Sequence, residues 1–129
     1  GSRELIEDLT RIKFSTNPYN INRLTLVAGA AAVDDDAYYQ QHCRQICQTR
    51  QKTADRLAEL GFEQTASQAN FLFARHPSVS GELLYRQLKE NGILVRRFDR
   101  ERISEFLRIT IGTPEQMEQF CTVISRLIP

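Results

Sequence analysis

The fold is decided by two short apolar segments, Gly92-Ile-Leu-Val-Arg-Arg-Phe98 and Phe106-Leu-Arg-Ile-Thr-Ile-Gly-Thr113. Each segment predicts a strand with an arginine on or beside it, and the two strands could pair as neighbours. An arginine next to a buried strand needs an anionic partner, and its planar set of donors matches a carboxylate or a phosphate. Arg96 and Arg108, which lie twelve positions apart, therefore predict the anion-binding half of a substrate site.

Both arginines also have a purely structural interpretation, in which each pairs with an internal aspartate or glutamate. Neighbouring residues of a strand point to opposite faces, so at most one of Arg96 and Arg97 shares a face with the site. We expect Arg97 to be the one that faces solvent. A third candidate is Tyr19, whose loop Asn17-Pro-Tyr-Asn20 either binds a ligand through its phenol and amides or forms a plain interhelical turn.

Helical and strand patterns along the chain predict a mixed α/β (α+β) fold. Helices are expected over residues 3–13, 21–33, 37–60 and 80–91, and a capping box at Thr113-Pro-Glu-Gln116 opens a last one. Strands are expected at residues 62–65, 70–74, 93–95 and 106–111. Long N-terminal helices are thus followed by the order β-α-β-β-α.

The composition argues against several classes of protein. A length of 129 residues with 41% hydrophobic and 26% charged residues is typical of one soluble globular domain. A net charge of +1 suggests no nucleic-acid surface, and no apolar run approaches the roughly 20 residues of a membrane span. Gly1-Ser2 looks like an expression scar, and no signal peptide follows it.

The cysteines and lysines carry little chemistry of their own. Cys43, Cys47 and Cys121 lack further Cys or His ligands at usable spacing, so we expect reduced, half-buried thiols in a cytoplasmic protein rather than a metal or redox site. The three lysines are expected on polar helical faces or helix ends, without the burial that Schiff-base chemistry needs. They are Lys13, Lys52 and Lys89.

Five motifs occur in a characteristic order: Asn17-Pro-Tyr-Asn20, a helix ending in Asp34-Asp-Asp36, Ala69-Asn-Phe-Leu-Phe73, Gly92-Ile-Leu-Val-Arg96 and Leu107-Arg-Ile-Thr-Ile-Gly-Thr113. Together they resemble the C-terminal part of histidinol-phosphate aminotransferases, which are fold-type I enzymes dependent on pyridoxal phosphate. The resemblance implies the small domain of that fold, with a mostly antiparallel sheet of three or four strands covered by helices. It also implies connecting helices and an interface loop at residues 3–35, and the C-terminal small domain at residues 36–129.

The resemblance implies roles for the three candidate residues. Arg108 matches the family arginine that holds the substrate's α-carboxylate. Arg96 matches a second arginine near the substrate, which the resemblance assigns to the phosphate of histidinol phosphate. Tyr19 matches a tyrosine at the dimer interface that lines the partner subunit's site, so that its loop works in trans.

The family's cofactor machinery, including the Schiff-base lysine, lies on a large domain upstream of these motifs. We therefore expect this chain to hold no pyridoxal phosphate and to be inactive alone. In the full-length enzyme we expect amino transfer between histidinol phosphate, or a related amino acid, and 2-oxoglutarate. The implied partners are the phosphorylated amino-acid substrate, the missing large domain and a second copy in a homodimer, with no nucleic acid and no membrane.

Two other functions stay open on the sequence. One is a stand-alone module that uses the arginine pair to bind a small anion or an interaction partner. The other is a fragment of a related decarboxylase that acts on a phosphorylated amino acid, or of an aromatic-amino-acid transaminase.

Overall fold

The computed structural model describes residues 1–16 and 19–128, which contain five helices and four strands. The chain forms two compact units, one over Gly1–Tyr39 and one from Gln40 onward. None of the helices in the described ranges combines the length and apolar character needed to cross a membrane.

The first unit consists of α1 (Arg3–Thr16), α2 (Arg23–Asp34) and the beginning of α3 (Asp36–Glu59). Asn22 caps α2, because its side-chain oxygen accepts the backbone N–H of Thr25 at 2.9 Å. Asn17 and Pro18 lie outside the described residues, so the predicted turn is described only at Tyr19 and Asn20. The role of residues 3–35 as connecting helices stays a prediction.

Neither α1 nor α2 buries a single residue in this unit. On α1, apolar side chains at helical spacing are about half exposed or more, and on α2 the exposure reaches 81% at Leu24. The exposed apolar residues of the two helices are Leu5, Ile6, Leu9, Ile12, Phe14, Leu24, Leu26, Val27 and Val33. The N-terminal helices therefore expose apolar surface, and the described residues of α1 and α2 form no core.

The helices of the second unit begin and end at the signals seen in the sequence. α3 stops before Gly61, whose φ of +83° is the left-handed conformation that favours glycine. α4 (Gly81–Glu90) has Ser80 as its N-cap. α5 (Pro114–Leu127) opens with the complete capping box of Thr113 and Gln116.

The sheet contains β1 (Glu63–Gln64), β2 (Phe71–Arg75), β3 (Arg96–Arg97) and β4 (Leu107–Thr110). The strand order is β1-β2-β4-β3, and every pairing is antiparallel. The mostly antiparallel sheet of three or four strands is thus confirmed, as is the adjacent placement of the strands that carry Arg96 and Arg108.

Three strands begin one residue after their predicted starts, and the fourth is displaced by three residues. Residues 93–95 were expected in a strand, whereas β3 begins at Arg96. The reason is that the N–H of Ile93 donates to the carbonyl of Leu88 at 2.9 Å, which closes the end of α4 after Gly92 at φ +76°. The N–H of Ile93 is therefore used at the C-terminal end of α4 and cannot donate to a neighbouring strand.

The core of the second unit joins one face of the sheet to all three of its helices. Leu72, Ala74, Leu107 and Ile109 supply the buried face of β2 and β4. From the helices, the fully buried side chains are Leu57 of α3, Leu84 and Leu88 of α4, and Ile124 of α5. Helices therefore cover one face of the sheet.

Candidate functional site

The opposite face of the sheet carries the arginines. Along β4, Leu107 and Ile109 are buried while Arg108 and Thr110 are exposed, as the two-residue period of a strand requires. We call this side of the sheet the open face; its members on the strands are Glu63 of β1, Phe71, Phe73 and Arg75 of β2, Arg96 of β3, and Arg108 and Thr110 of β4.

The strand register places Arg96 directly beside Arg108. Arg108 is opposite Phe73 on one side and opposite Arg96 on the other. Directly opposed residues in an antiparallel pair have their Cβ atoms about 4.5–5.5 Å apart, and like charges at such positions destabilise the sheet. An anion bound between the two side chains would remove that repulsion.

The internal ion pairs that would make these arginines purely structural are absent. Among residues 1–16 and 19–128, neither guanidinium forms an ion pair. Arg75 on the same face does form one, with its Nη2 atom 2.6 Å from the Glu63 carboxylate. The open face thus holds one neutralised arginine and two whose charge the described residues leave uncompensated.

Each of the two arginines instead lies over an aromatic ring. The guanidinium carbon of Arg108 is 5.2 Å from the centre of the Phe71 ring, and that of Arg96 is 5.4 Å from the centre of the Phe98 ring. Sequence reasoning missed both phenylalanines as site residues, because aromatic residues in or beside a strand are read as core. Their contacts with the two arginines depend on the strand register and, for Phe98, on the β3–β4 loop.

The predicted orientation of Arg97 is wrong. Its side chain is only 18% exposed, its Nε–H donates to the carbonyl of Ser104 at 2.8 Å, and its Nη2 lies 3.7 Å from the Asp99 carboxylate. Arg96 is the exposed member of the pair. The cause is the register of β3, which sets Arg97 opposite Leu107 in the buried row.

Besides the bond between Arg97 and Ser104, a contact with the start of α4 holds the loop between β3 and β4. The carboxylate of Glu105 accepts the backbone N–H of Gly81 at 2.8 Å, at the first residue of α4. A negative charge there is favourable because the free N–H groups of a helix start carry partial positive charge. The two residues are 24 positions apart, so no local motif could have indicated the contact.

Tyr19 belongs to the first unit and is 85% exposed. Arg96 and Arg108 belong to the second unit. The structure thus brings the two arginines together, and the participation of Tyr19 in a site stays a prediction.

The second unit also has an open groove of about 1080 Å³ between α3 and α5. Its charged lining consists of Arg44, Lys52 and Arg56 on α3 and of Glu115 and Glu118 on α5. Arg56 is already paired with Glu59 at 2.8 Å. The remaining charges balance, so the groove lacks the excess positive charge that distinguishes the open face.

The three cysteines differ from the expected half-buried thiols. Cys43 and Cys47 are exposed, Cys121 is buried, and all three are free. Burial raises the pKa of the Cys121 thiol, with the nearby Glu118 adding to the effect. In the described part of the chain, no group of three or more His, Cys, Asp or Glu side chains could hold a metal ion.

The lysines do not fit covalent attachment of an aldehyde cofactor. Lys13, Lys52 and Lys89 all lie exposed on helices. A lysine that forms a Schiff base is usually desolvated in a pocket, and an exposed helical position does not supply that setting. No chemical step through such a cofactor can be assigned to the described residues.

Comparisons with known proteins agree with this architecture. The family model for aminotransferase class I and II matches residues 2–124. A histidinol-phosphate aminotransferase of Chromohalobacter salexigens is 50% identical over 118 residues, which is 92% of this chain and 34% of that protein. The chain spans about a third of the length of the curated relatives it matches.

Solved structures show the same fold. The histidinol-phosphate aminotransferase of Clostridium acetobutylicum superposes with a TM-score of 0.75 at 27% identity, over 92% of this chain and 36% of that one. The enzyme of the same name from Sinorhizobium meliloti, in complex with pyridoxal-5'-phosphate, gives a TM-score of 0.77 over 87% of this chain and 31% of that one. At 20% identity this second likeness supports the fold alone.

Proposed function

Since the chain belongs to the aminotransferase class I and II family, we propose that it is the substrate-clamping part of a longer enzyme. The proposed reaction transfers an amino group between histidinol phosphate, or a related amino acid, and 2-oxoglutarate. The observation that carries this proposal is the pair of exposed, adjacent arginines that have no carboxylate partner among residues 1–16 and 19–128. The names and identities of the relatives support the choice of substrate.

In this proposal the two arginines hold the anionic groups of the two substrates, because histidinol phosphate carries a phosphate but no carboxylate. Arg108 binds the α-carboxylate of 2-oxoglutarate, for which the planar guanidinium offers two parallel donors. Arg96 binds the phosphate of histidinol phosphate. Because both side chains lie on one face of a rigid antiparallel pair, each substrate is held by its anionic end at the same part of the sheet.

The remaining parts of the active site come from elsewhere in the complete enzyme. Enzymes of this family use pyridoxal phosphate, which supplies the electron sink for amino transfer when bound. Because the chain's lysines do not fit a covalent attachment, we propose that the chain alone is inactive. We further propose a homodimer in which Tyr19 lines the partner's site, and a cytoplasmic location, which the three free cysteines support.

The test uses the complete enzyme encoded by the reading frame that contains this chain. Amino transfer from histidinol phosphate to 2-oxoglutarate is measured for the wild type, for Arg108→Ala and for Arg75→Ala. We expect Arg108→Ala to lower kcat/KM for 2-oxoglutarate by orders of magnitude, because loss of a charge-assisted bidentate pair costs about 2–5 kcal/mol. Arg75→Ala is the matched control, since it removes an arginine from the same face whose charge Glu63 neutralises.

Equal kinetics for the two variants would contradict the proposed clamp. Absence of amino transfer with histidinol phosphate and with other amino acids would contradict the proposed reaction. A reading frame without any additional domain, together with phosphate binding by the chain, would instead favour the stand-alone anion-binding module.

A further inference from the structure

The two unpaired arginines share a mode of support. Arg108 lies over the ring of Phe71 and Arg96 lies over the ring of Phe98, with separations of 5.2 and 5.4 Å. Both distances fall within the range in which a cation is attracted to the face of an aromatic ring. The two rings come from different segments, one from the start of β2 and one from the residue after β3.

Arg75 differs from these two arginines because a carboxylate holds it as well as an aromatic ring. It also lies over a ring, that of Phe106 at 5.5 Å, but Glu63 accepts its Nε–H at 2.8 Å. A carboxylate partner occupies donors of the guanidinium and cancels its charge. An aromatic ring holds the group in place without supplying a strong acceptor, so the donors and the charge stay available to a ligand.

We propose that Phe71 and Phe98 are positioning residues, which hold the guanidinium groups of Arg108 and Arg96 ready for the anionic groups of the two substrates, a carboxylate and a phosphate. This inference rests on the proposed function. An exposed arginine without support samples many rotamers, and ordering it upon binding reduces the affinity. The two phenylalanines reduce that cost before the substrate arrives.

The backbone that carries each ring is held in place. Phe71 is opposite Thr110 in the β2–β4 ladder, so its backbone position is set by the sheet. Phe98 lies in the β3–β4 loop, where its carbonyl accepts the N–H of Arg100 at 3.0 Å and where Arg97 donates to the carbonyl of Ser104. Each supporting phenylalanine therefore extends from an ordered part of the backbone.

The experiment measures kcat and KM for histidinol phosphate and for 2-oxoglutarate in the complete enzyme. Phe71→Leu and Phe98→Leu are compared with Phe106→Leu, a control that makes the same substitution under the ion-paired Arg75. We expect KM to rise roughly 2- to 5-fold, for 2-oxoglutarate in Phe71→Leu and for histidinol phosphate in Phe98→Leu, with little change in kcat. A change of this size corresponds to the attraction between a cation and an aromatic ring at an exposed site. Phe71→Tyr keeps a ring and should restore the wild-type KM.

A KM for Phe71→Leu and Phe98→Leu that equals that of Phe106→Leu would overturn the inference. So would an additive effect of Phe71→Leu in an Arg108→Ala background, because a residue that acts through Arg108 has no effect once that arginine is gone. If Phe71→Leu does not fold, Phe98→Leu in the loop decides the question. If Arg108→Ala leaves kcat/KM unchanged, both the proposed function and this inference are wrong. If Arg108→Ala lowers kcat/KM as expected but the phenylalanine variants keep the wild-type KM, only this inference is wrong.

Discussion

Two guanidinium groups on adjacent strands repel each other unless an anion lies between them. Arg96 and Arg108 are opposed in the β3–β4 ladder, and their exposed placement keeps the cost of this repulsion low in the absence of a ligand. The geometry of the donors matters as much as the charge. An ammonium group is a compact point charge and cannot reproduce the planar fork.

We therefore expect Arg108→Lys in the complete enzyme to recover only part of the kcat/KM lost in Arg108→Ala. The retained positive charge attracts the carboxylate, but the second parallel hydrogen bond is missing. Steady-state kinetics and the melting temperature are measured on the same two variants. A lower melting temperature with unchanged kinetics would indicate that Arg108 only stabilises the fold.

Unlike its exposed neighbour Arg96, Arg97 is hydrogen-bonded within the fold. We expect Arg97→Ala to lower the free energy of unfolding by about 1–3 kcal/mol, because it leaves the carbonyl of Ser104 without its donor. Urea denaturation measures the change. Asp99→Ala is the control: Asp99 is 92% exposed and 3.7 Å from Arg97, so its loss should cost at most about 1 kcal/mol. An equal loss in both variants would assign the effect to the ion pair.

The cysteines give a simple check on burial within this chain. We expect a thiol reagent to modify two of the three cysteines quickly in the folded chain, because Cys43 and Cys47 are exposed and Cys121 is buried. Burial also raises the pKa of Cys121, so less of its reactive thiolate is present at a given pH. All three should react in urea. Rapid modification of Cys121 in the folded chain, located by mass spectrometry, would contradict the packing of α5.

At the scale of elements, the β3–β4 loop and the start of α4 depend on each other. A Cβ atom at Gly81 would lie 2.6 Å from the backbone oxygen of Glu105, so this position has no room for a side chain. We expect Gly81→Ala to lower the free energy of unfolding by about 1–3 kcal/mol through overpacking. Gly29→Ala in α2 is the control, since nothing lies within 4 Å of its added Cβ.

Thermal unfolding of the two alanine variants decides the matter. Because alanine has the higher helix propensity, Gly29→Ala should leave the melting temperature unchanged or raise it. A similar melting temperature for both variants would mean that the loop moves away from α4 without cost, and that Gly81 does not set its position.

Elements with local signals were predictable from the sequence, whereas the orientation of a side chain that depends on long-range strand pairing was not. The capping box of Thr113 and Gln116 lies within four consecutive residues and opens α5 as expected. The orientation of Arg97 depends on its pairing with Leu107, ten positions away, and was predicted wrongly. In a strand of two residues, no hydrophobic alternation indicates which face is buried.

The same limit applies to the candidate site. Arginines beside apolar strands were visible in the sequence as anion-binding candidates, and their adjacency follows from the strand order β2-β4-β3. The aromatic support was not visible, because Phe71 and Phe98 reach their arginines only once the register and the loop are fixed. The contacts between the phenylalanines and the arginines therefore could not be predicted from the local sequence motifs.

At the scale of the whole molecule, the two units differ in how they are stabilised. The second unit has a core that joins the sheet to its helices, whereas α1 and α2 bury no residue. Contiguous exposed apolar surface of this kind marks an interface. The chain matches only about a third of the length of its relatives, which leaves ample protein to cover such a surface in the complete enzyme.

We therefore expect the chain by itself to associate with copies of itself through α2. Leu24 is 81% exposed and Val27 is 67% exposed, so burying them between copies removes apolar surface from water. Leu24→Glu should shift the population toward monomer, because a carboxylate cannot be buried there without a partner. Gln41→Glu adds the same charge at an exposed polar position of α3 and should change nothing. Light scattering across a concentration series compares the three chains; a strictly monomeric wild type would show that this surface does not drive association.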